Sequence, residues 1–316
     1  MLKWFYLDLR KVIFMKLATM TSDFRLYTKK DEEKLTELYD AGFRCIDLSL
    51  YSEEIKVYMG DDWKERLKRL KAHADSLGME FVQAHSPGGN PLKKDERWEN
   101  LVNSTIRSIE VCGELGIKNT VVHFGYDKGV SKDESFEKNR EFFRLLLPTA
   151  ERCGVNVLAE NSTKANMGER YYPNSAKDLL EFLDFVDHPM LHVCWDTGHA
   201  NCEGAQYDEI MTLGDELYAI HYNDNHGKKD EHLIPYFGTL NHDEVINALI
   251  DSGYKGYFTF ECGSSLITPQ YWLGGRREFD RDTRTLHPEL FMQRQLEKLL
   301  YDTGKHLLST YGLYEV

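Results

Sequence analysis

The sequence lacks the closely spaced cysteines of a disulfide framework. Its six cysteines are scattered along the chain and form no C-x-x-C pair: Cys45, Cys112, Cys153, Cys194, Cys202 and Cys262. Such spacing is typical of reduced thiols, so we expect a cytoplasmic protein. An uninterrupted apolar segment of membrane-spanning length is also missing, which argues against a membrane protein.

The sequence also lacks the features of a signal peptide and of an interdomain linker. Its first residues are largely apolar, but Asp8, Arg10 and Lys11 interrupt them and no small-residue cleavage site follows. No linker-like change in composition divides the rest of the chain. We therefore expect an N-terminal extension over residues 1–14 and one catalytic domain over residues 15–316.

Positive charge is scarce relative to negative charge. The 316 residues include 39 Lys and Arg against 52 Asp and Glu, which gives a formal net charge of −13. A net negative surface repels phosphate backbones, so a nucleic-acid partner is disfavoured, although a local basic groove could override the total. Proline and glycine are too few to indicate a disordered chain.

What the sequence does contain is a repeated unit: a helical segment, a glycine, and then a β-branched or aromatic segment. The glycines that end these helices are Gly42, Gly78, Gly116, Gly154, Gly214 and Gly253. Glycine suits this position because the left-handed conformation costs it no Cβ clash. The longest interval holds a further strand, MLHVCWD, and KLATM near the N-terminus completes a set of eight strands.

Eight strands that alternate with helices predict an α/β protein with a parallel sheet. At this chain length they favour closure into a (β/α)8 TIM barrel that forms a single domain. An open doubly wound sheet is the competing fold. We disfavour it because the first strand-to-helix turn contains no glycine-rich phosphate loop.

Six consecutive predicted strands end in a residue that can bind a metal. The active site of such a barrel lies at these ends, which carry His85, His123, Glu160, Asp196, His221 and Glu261. Asp47 on the second strand could add a seventh. Any one of these has an ordinary structural explanation, but converging carboxylates at the ends of buried strands repel one another unless a cation is bound. Oxygen and imidazole donors predict a divalent ion such as Mn²⁺, Mg²⁺, Co²⁺, Fe²⁺ or Zn²⁺.

Two polar motifs just beyond the strands extend the candidate site. A DTGH motif runs from Asp196 to His199, and its glycine permits a tight return of the chain. A DEH motif runs from Asp230 to His232 after the seventh strand. Each motif is frequent by chance, but its position beside a ligand-bearing strand strengthens it.

These motifs, in this order, resemble the xylose isomerase-like barrel superfamily. The segments VLAENST, CWDTGHA, AIHYNDN with DEHLIP, and FTFECG are similar to those of sugar phosphate isomerase/epimerase proteins, and the resemblance covers nearly the whole chain from Met15 onward. It implies a metal-dependent enzyme of carbohydrate metabolism that isomerises or epimerises a small sugar or sugar phosphate.

The ketose 3-epimerases of this superfamily imply a role for each strand-end residue. Their single metal is held by a Glu, an Asp, a His and a second Glu, and the two glutamates also exchange protons with the substrate. The matching metal ligands are Glu160, Asp196, His221 and Glu261. The resemblance to relatives that are not nucleases implies substrate binding by His85, His123, His199, Asp230 and His232. The epimerases also carry an Arg after the seventh strand and a Glu after the fifth, where this chain reads NDNHGKKDEH and NSTKANMGER, so no particular ketose is implied.

The chain also resembles the endonuclease IV type of apurinic endonuclease, which holds three zinc ions in the same barrel. Residues of the types that this cluster needs occur in matching order at nine positions, yet the acidic total and the lack of a loop rich in Arg and aromatic residues argue against a nuclease. A metal-dependent sugar or inosose dehydratase and a hydroxypyruvate-type isomerase need the same chemistry and remain alternatives. A silent sugar-binding barrel is disfavoured by the intact ligand set, and a homo-oligomer stays open.

Four cations on two long loops are candidate anion-binding residues: Lys228, Lys229, Arg276 and Arg277. The loops after strands seven and eight often bind phosphate in barrels of this kind. Arg could grip a phosphate with two hydrogen bonds, and Lys would add a point charge. The alternative is that all four are solvated charges and the substrate is a free sugar, and we favour this alternative.

Overall fold

The computed structural model describes residues 14–51, 53–263, 265–266, 281, 285 and 288–315. Within these residues eight parallel strands form one barrel, each beside its neighbour in sequence, with β1 paired to both β2 and β8. The strands are β1 (Met15–Met20), β2 (Cys45–Ser49), β3 (Glu80–His85), β4 (Asn119–Val122), β5 (Asn156–Glu160), β6 (Leu191–Asp196), β7 (Leu217–His221) and β8 (Phe258–Phe260). The predicted TIM barrel is confirmed.

Helices connect the strands and surround the barrel. They are α1 (Asp31–Ala41), α2 (Trp63–Leu77), α3 (Trp98–Leu115), α4 (Lys132–Cys153), α5 (Lys164–Met167), α6 (Ala176–Val186), α7 (Thr197–Asn201), α8 (Tyr207–Leu213), α9 (His242–Ser252) and α10 (Leu290–Thr310). All six glycines predicted to end helices have positive φ. A two-residue strand, β9 (Tyr314–Glu315), pairs with the start of β1 and was not predicted.

Tyr222 closes the barrel between β7 and β8. Its backbone N–H donates to the carbonyl of Thr259 at 2.7 Å, and its own carbonyl accepts from the N–H of Glu261 at 3.2 Å. The last two strand ends therefore lie side by side, which brings His221 and Glu261 next to each other.

The barrel interior is apolar in its lower layer and polar at the strand ends. The lower layer contains Val121, Leu158, Cys194 and Ala219, all buried. Side chains point inward at every second position of a strand. His123, Glu160 and Asp196 come two positions after Val121, Leu158 and Cys194, so they also face inward. Cys194 packs within this layer.

The remaining broad expectations concern the cysteines, the membrane and the chain ends. All six cysteines are free. Within the described residues no helix is both long enough and apolar enough to cross a membrane. Residues 1–13 of the expected N-terminal extension lie outside the described residues, as do Arg276 and Arg277.

Candidate active site

Four strand ends converge on one point at the top of the barrel. One ligand atom from each side chain lies within 4.8 Å of the other three, and we call this set the inner group: Glu160, Asp196, His221 and Glu261. The Nδ1 atom of His221 lies 2.5 Å from Oε1 of Glu160 and 3.0 Å from Oε2 of Glu261. The four residues come from β5, β6, β7 and the position after β8, so the barrel register itself brings them together.

Burial makes the charges of the inner group costly. The side chains of Glu160 and Asp196 are 1% and 0% exposed. Burial raises the pKa of Asp196 to about 6. Burial also raises the pKa of Glu160, but the charges of His221 and His123 outweigh it and hold that pKa well below its usual range. A divalent cation would supply the same compensation in place of the imidazole protons, so the donor set fits such an ion.

A buried pair beneath the inner group orients His221. The Nε2 atom of His221 lies 2.8 Å from Nε2 of Gln83 and 3.5 Å from Oδ2 of Asp47. Gln83 also donates to Asp47 at 2.7 Å. When Nδ1 serves as a ligand, the ring proton resides on Nε2, where Oδ2 of Asp47 can accept it, and Gln83 supports the ring by holding that carboxylate. Asp47, a possible seventh strand-end ligand, instead supports His221, and the role of Gln83 was missed.

Asparagines hold Asp196 on both sides. The side chain of Asn161 accepts from the backbone N–H of Asp196 at 2.7 Å and donates to its carbonyl at 3.0 Å. Asn223 donates to Oδ2 of Asp196 at 2.7 Å. Asp196 also caps α7, because its Oδ1 accepts from the N–H of His199 at 2.6 Å. We expected Gly198 to permit a tight return of the chain. Instead, glycine makes room for Asn223 here, because a Cβ at this position would lie 1.8 Å from Oδ1 of Asn223.

The two loop motifs meet in a second cluster, which we call the outer group: His199, Asp230 and His232. Oδ2 of Asp230 lies 3.1 Å from Nε2 of His199 and 2.9 Å from Nε2 of His232. The other oxygen, Oδ1 of Asp230, is buried and has no hydrogen-bond partner. A buried acceptor without a partner is costly, so this oxygen is placed to receive a ligand.

A third cluster joins the ends of β3 and β4 to the inner group. Nε2 of His123 lies 2.7 Å from Oε2 of Glu160. The rings of His85 and His123 lie 4.7 Å apart, and the ring of Tyr51 packs edge-on against both. Each oxygen of Glu160 therefore faces a different histidine, because Oε1 faces His221.

These clusters line a cavity of about 480 Å³, a size typical of small-molecule sites. The predicted site residues on its wall are His85, His123, Glu160, His199, Asp230, His232 and Glu261. Tyr51, Asn161 and Tyr172 also line it and were missed: Tyr51 and Tyr172 lie in loops without a recognisable motif, and Asn161 follows Glu160 in the VLAENST segment, where only the carboxylate was singled out. Lys228 and Lys229 are exposed and do not line the cavity.

Comparisons with known proteins agree with this geometry. A sequence profile described as a xylose isomerase-like TIM barrel matches residues 35–280. The fructoselysine 3-epimerase of Shigella flexneri is 32% identical over 207 residues, which is 62% of this chain and 72% of that protein. The probable endonuclease 4 of Thermotoga sp. (strain RQ2) is 26% identical over 241 residues, which is 68% of this chain and 78% of that protein. The chain spans only about half the length of two further relatives: 50% of the uncharacterized protein y4fM of Sinorhizobium fredii and 44% of the D-psicose 3-epimerase of Ruminiclostridium cellulolyticum.

Solved structures extend the likeness in fold. A crystal structure of D-allulose 3-epimerase from Methylomonas sp. has a TM-score of 0.71 against this chain. The superposition covers 94% of this chain and 99% of that chain at 16% sequence identity. At this identity the likeness concerns the fold alone.

Proposed function

The chain belongs to the xylose isomerase-like TIM barrel family, and from that premise we propose that it is a divalent-metal-dependent isomerase or epimerase of a small sugar or sugar phosphate. The observation that carries the proposal is the inner group, in which Glu160 and Glu261 both reach Nδ1 of His221. The similarity of the chain to a fructoselysine 3-epimerase supports an epimerase reaction as well. The cytoplasmic location expected from the scattered cysteines belongs to this proposal.

Glu160 and Glu261 are the proposed proton-transfer residues. A bound cation would polarise a sugar carbonyl and its neighbouring hydroxyl, which lowers the barrier to an enediolate. One glutamate removes the proton beside the carbonyl and the other returns a proton from the opposite face, which inverts that carbon. Isomerisation, in which a proton moves between neighbouring carbons, needs only one face of the substrate. His123 holds Oε2 of Glu160 at 2.7 Å and so limits the positions that this carboxylate can adopt.

The remaining cavity residues are proposed to bind sugar hydroxyls. His85 and His123 lie on one side of Glu160, and the outer group lies beyond Asp196. Imidazole nitrogens and the unpartnered Oδ1 of Asp230 supply both donors and acceptors, as a hydroxyl-rich ligand requires.

A second candidate function is a zinc-cluster phosphodiesterase of the apurinic endonuclease type. The observation in its favour is that the outer group and the cluster of His85, His123 and Glu160 each bring three possible ligands together, in addition to the inner group. The net charge of −13 opposes it, because a DNA backbone would be repelled.

The test is a paired assay on one preparation of metal-loaded protein. A panel of ketoses and ketose phosphates is scored for new epimers or isomers, and an abasic-site duplex is scored for cleavage. Metal content per chain is measured alongside. We expect a new sugar product, an intact duplex and about one ion per chain. Duplex cleavage with about three ions per chain would overturn the proposal in favour of the second candidate.

A further inference from the structure

Two permanent cations line the active-site cavity, and neither was singled out from the sequence. They are Arg25 and Lys29, in the segment that follows β1. Every other described residue on the cavity wall is neutral, acidic or a histidine. In a protein with a net charge of −13, cations at the reaction cavity need an explanation.

Within the described ranges, neither cation has a carboxylate to neutralise it at ion-pair distance. Nη1 of Arg25 donates to the carbonyl of Ser22 at 3.2 Å, and its other N–H groups have no hydrogen-bond partner among the described residues. Nζ of Lys29 donates to the carbonyl of Arg25 at 3.4 Å.

Two of the carboxylates that line the cavity face other cations. Glu53 pairs with Lys56 at 2.6 Å, and Glu54 lies 4.0 Å from Lys34, which also pairs with Asp31 at 3.0 Å. Asp23 interacts electrostatically with Arg25 but lies outside ion-pair distance of it, so Arg25 and Lys29 keep positive charge at the cavity wall. Charges in a partly enclosed cleft interact more strongly than on an open surface, because water screens them less.

Arg25 also lies close to the proposed chemistry. Its Nη1 atom is 3.4 Å from the point where a Cβ on Gly263 would stand. Gly263 is two residues after Glu261, and two residues span at most about 7 Å. The guanidinium group therefore lies within reach of a substrate held beside Glu261.

The geometry points to an anion subsite formed by Arg25 and Lys29, which makes the substrate a ketose with a phosphate or carboxylate group remote from its carbonyl. Arg25 would bind two oxygens of that group, and Lys29 would add its charge. The inference rests on the proposed function, because the reacting end of the sugar is assigned to Glu160 and Glu261. It replaces Lys228 and Lys229, which do not line the cavity, as the candidate anion contacts.

Calorimetric titration of the metal-loaded protein tests the subsite directly. The probes are D-fructose, D-fructose 6-phosphate and D-fructuronate, which differ in the group at the sixth carbon. We expect at least one anionic ketose to bind about tenfold or more tightly than D-fructose, and Arg25→Gln to remove about tenfold or more of that preference. Lys29→Gln should have a smaller effect in the same direction. The comparison of phosphate with carboxylate identifies the anion.

Lys228→Gln is the matched control, since it removes an exposed cation from a loop at the same end of the barrel. It should leave all three affinities unchanged. Equal affinity for neutral and anionic ketoses, or a loss in Lys228→Gln as large as in Arg25→Gln, would overturn the subsite. Anion binding through Arg25 without any sugar product would uphold the subsite and contradict the proposed function. Turnover of neutral ketoses that Arg25→Gln leaves unchanged, with no preference for an anionic ketose, would contradict the subsite and uphold the proposed function.

Discussion

The inner and outer groups have similar side chains but are built from different parts of the fold. Members of the inner group end consecutive strands, and neighbours such as Gln83, Asn161 and Asn223 hold them from below and from the sides. The outer group lies on the loops after β6 and β7. There His232 adopts a left-handed backbone with φ of 48°, which costs a residue with a Cβ about 1 kcal/mol.

Under the proposed function, this difference assigns proton transfer to the inner group and substrate binding to the outer group. Proton transfer needs groups that are held within a fraction of an ångström, and the barrel register provides such positions. Ligand binding tolerates loop positions, and under the proposed function it would use polar atoms that the protein leaves unsatisfied, such as Oδ1 of Asp230. Changes in the inner group should therefore reduce turnover, whereas changes in the outer group should weaken substrate binding.

The largest expected effect is that of Glu160→Gln or Glu261→Gln. Each amide keeps the shape of the side chain but cannot accept the proton, so kcat should fall by about 100- to 10,000-fold while KM changes less. Steady-state kinetics on the best ketose measures both. Glu181→Gln, which removes a surface carboxylate paired with Lys132, is the control and should retain full activity. Full activity in both glutamate variants would contradict the assignment of proton transfer to the inner group.

Gln83→Leu tests the support beneath the inner group. The change removes the amide that contacts Nε2 of His221 and Oδ2 of Asp47, so His221 should be less well oriented as a ligand. We expect metal affinity to fall by about 10- to 100-fold. Competition with a chromophoric chelator measures it. An unchanged affinity would show that His221 needs no support from β3.

Asp230→Asn tests the outer group. The amide weakens the contacts to His199 and His232, and we expect KM to rise by about tenfold with kcat nearly unchanged. A collapse of kcat accompanied by the loss of one metal ion per chain would instead make the outer group a metal site of the nuclease type.

The smallest expected effect concerns Gly198→Ala. The new Cβ would meet Oδ1 of Asn223, which must move away from Asp196 or distort α7. We expect the free energy of unfolding to fall by about 1–3 kcal/mol, measured by urea denaturation. Gly60→Ala is the control, because a Cβ there meets only a side-chain oxygen of Asp62 at 3.2 Å. Equal effects in both variants would contradict the close packing of Gly198.

The strand-end residues could be predicted because two local signals locate them. A glycine marks where each helix ends, and inward-facing residues alternate along the strand that follows, so Glu160 and Asp196 could be assigned without any long-range information. The barrel rule then places all strand ends at one edge.

The supporting residues could not be predicted because they depend on contacts across the barrel. Gln83 and His221 are 138 positions apart in sequence, and only ring closure brings them together. Arg25 lies in a turn after β1 with no motif around it, and its importance comes only from its place on the cavity wall. Lys228 and Lys229 were only candidate anion contacts, since we favoured solvated charges from the sequence, and both are exposed and lie off the cavity wall.

Solvent hydrogen exchange tests the central claim most directly. The metal-loaded protein is incubated with a ketose that it converts in D₂O, and the product and remaining substrate are examined by NMR. Proton transfer through Glu160 and Glu261 predicts deuterium at the carbon beside the carbonyl, and no incorporation in Glu160→Gln or Glu261→Gln. Turnover that leaves this carbon fully protonated across the panel of ketoses would contradict the account.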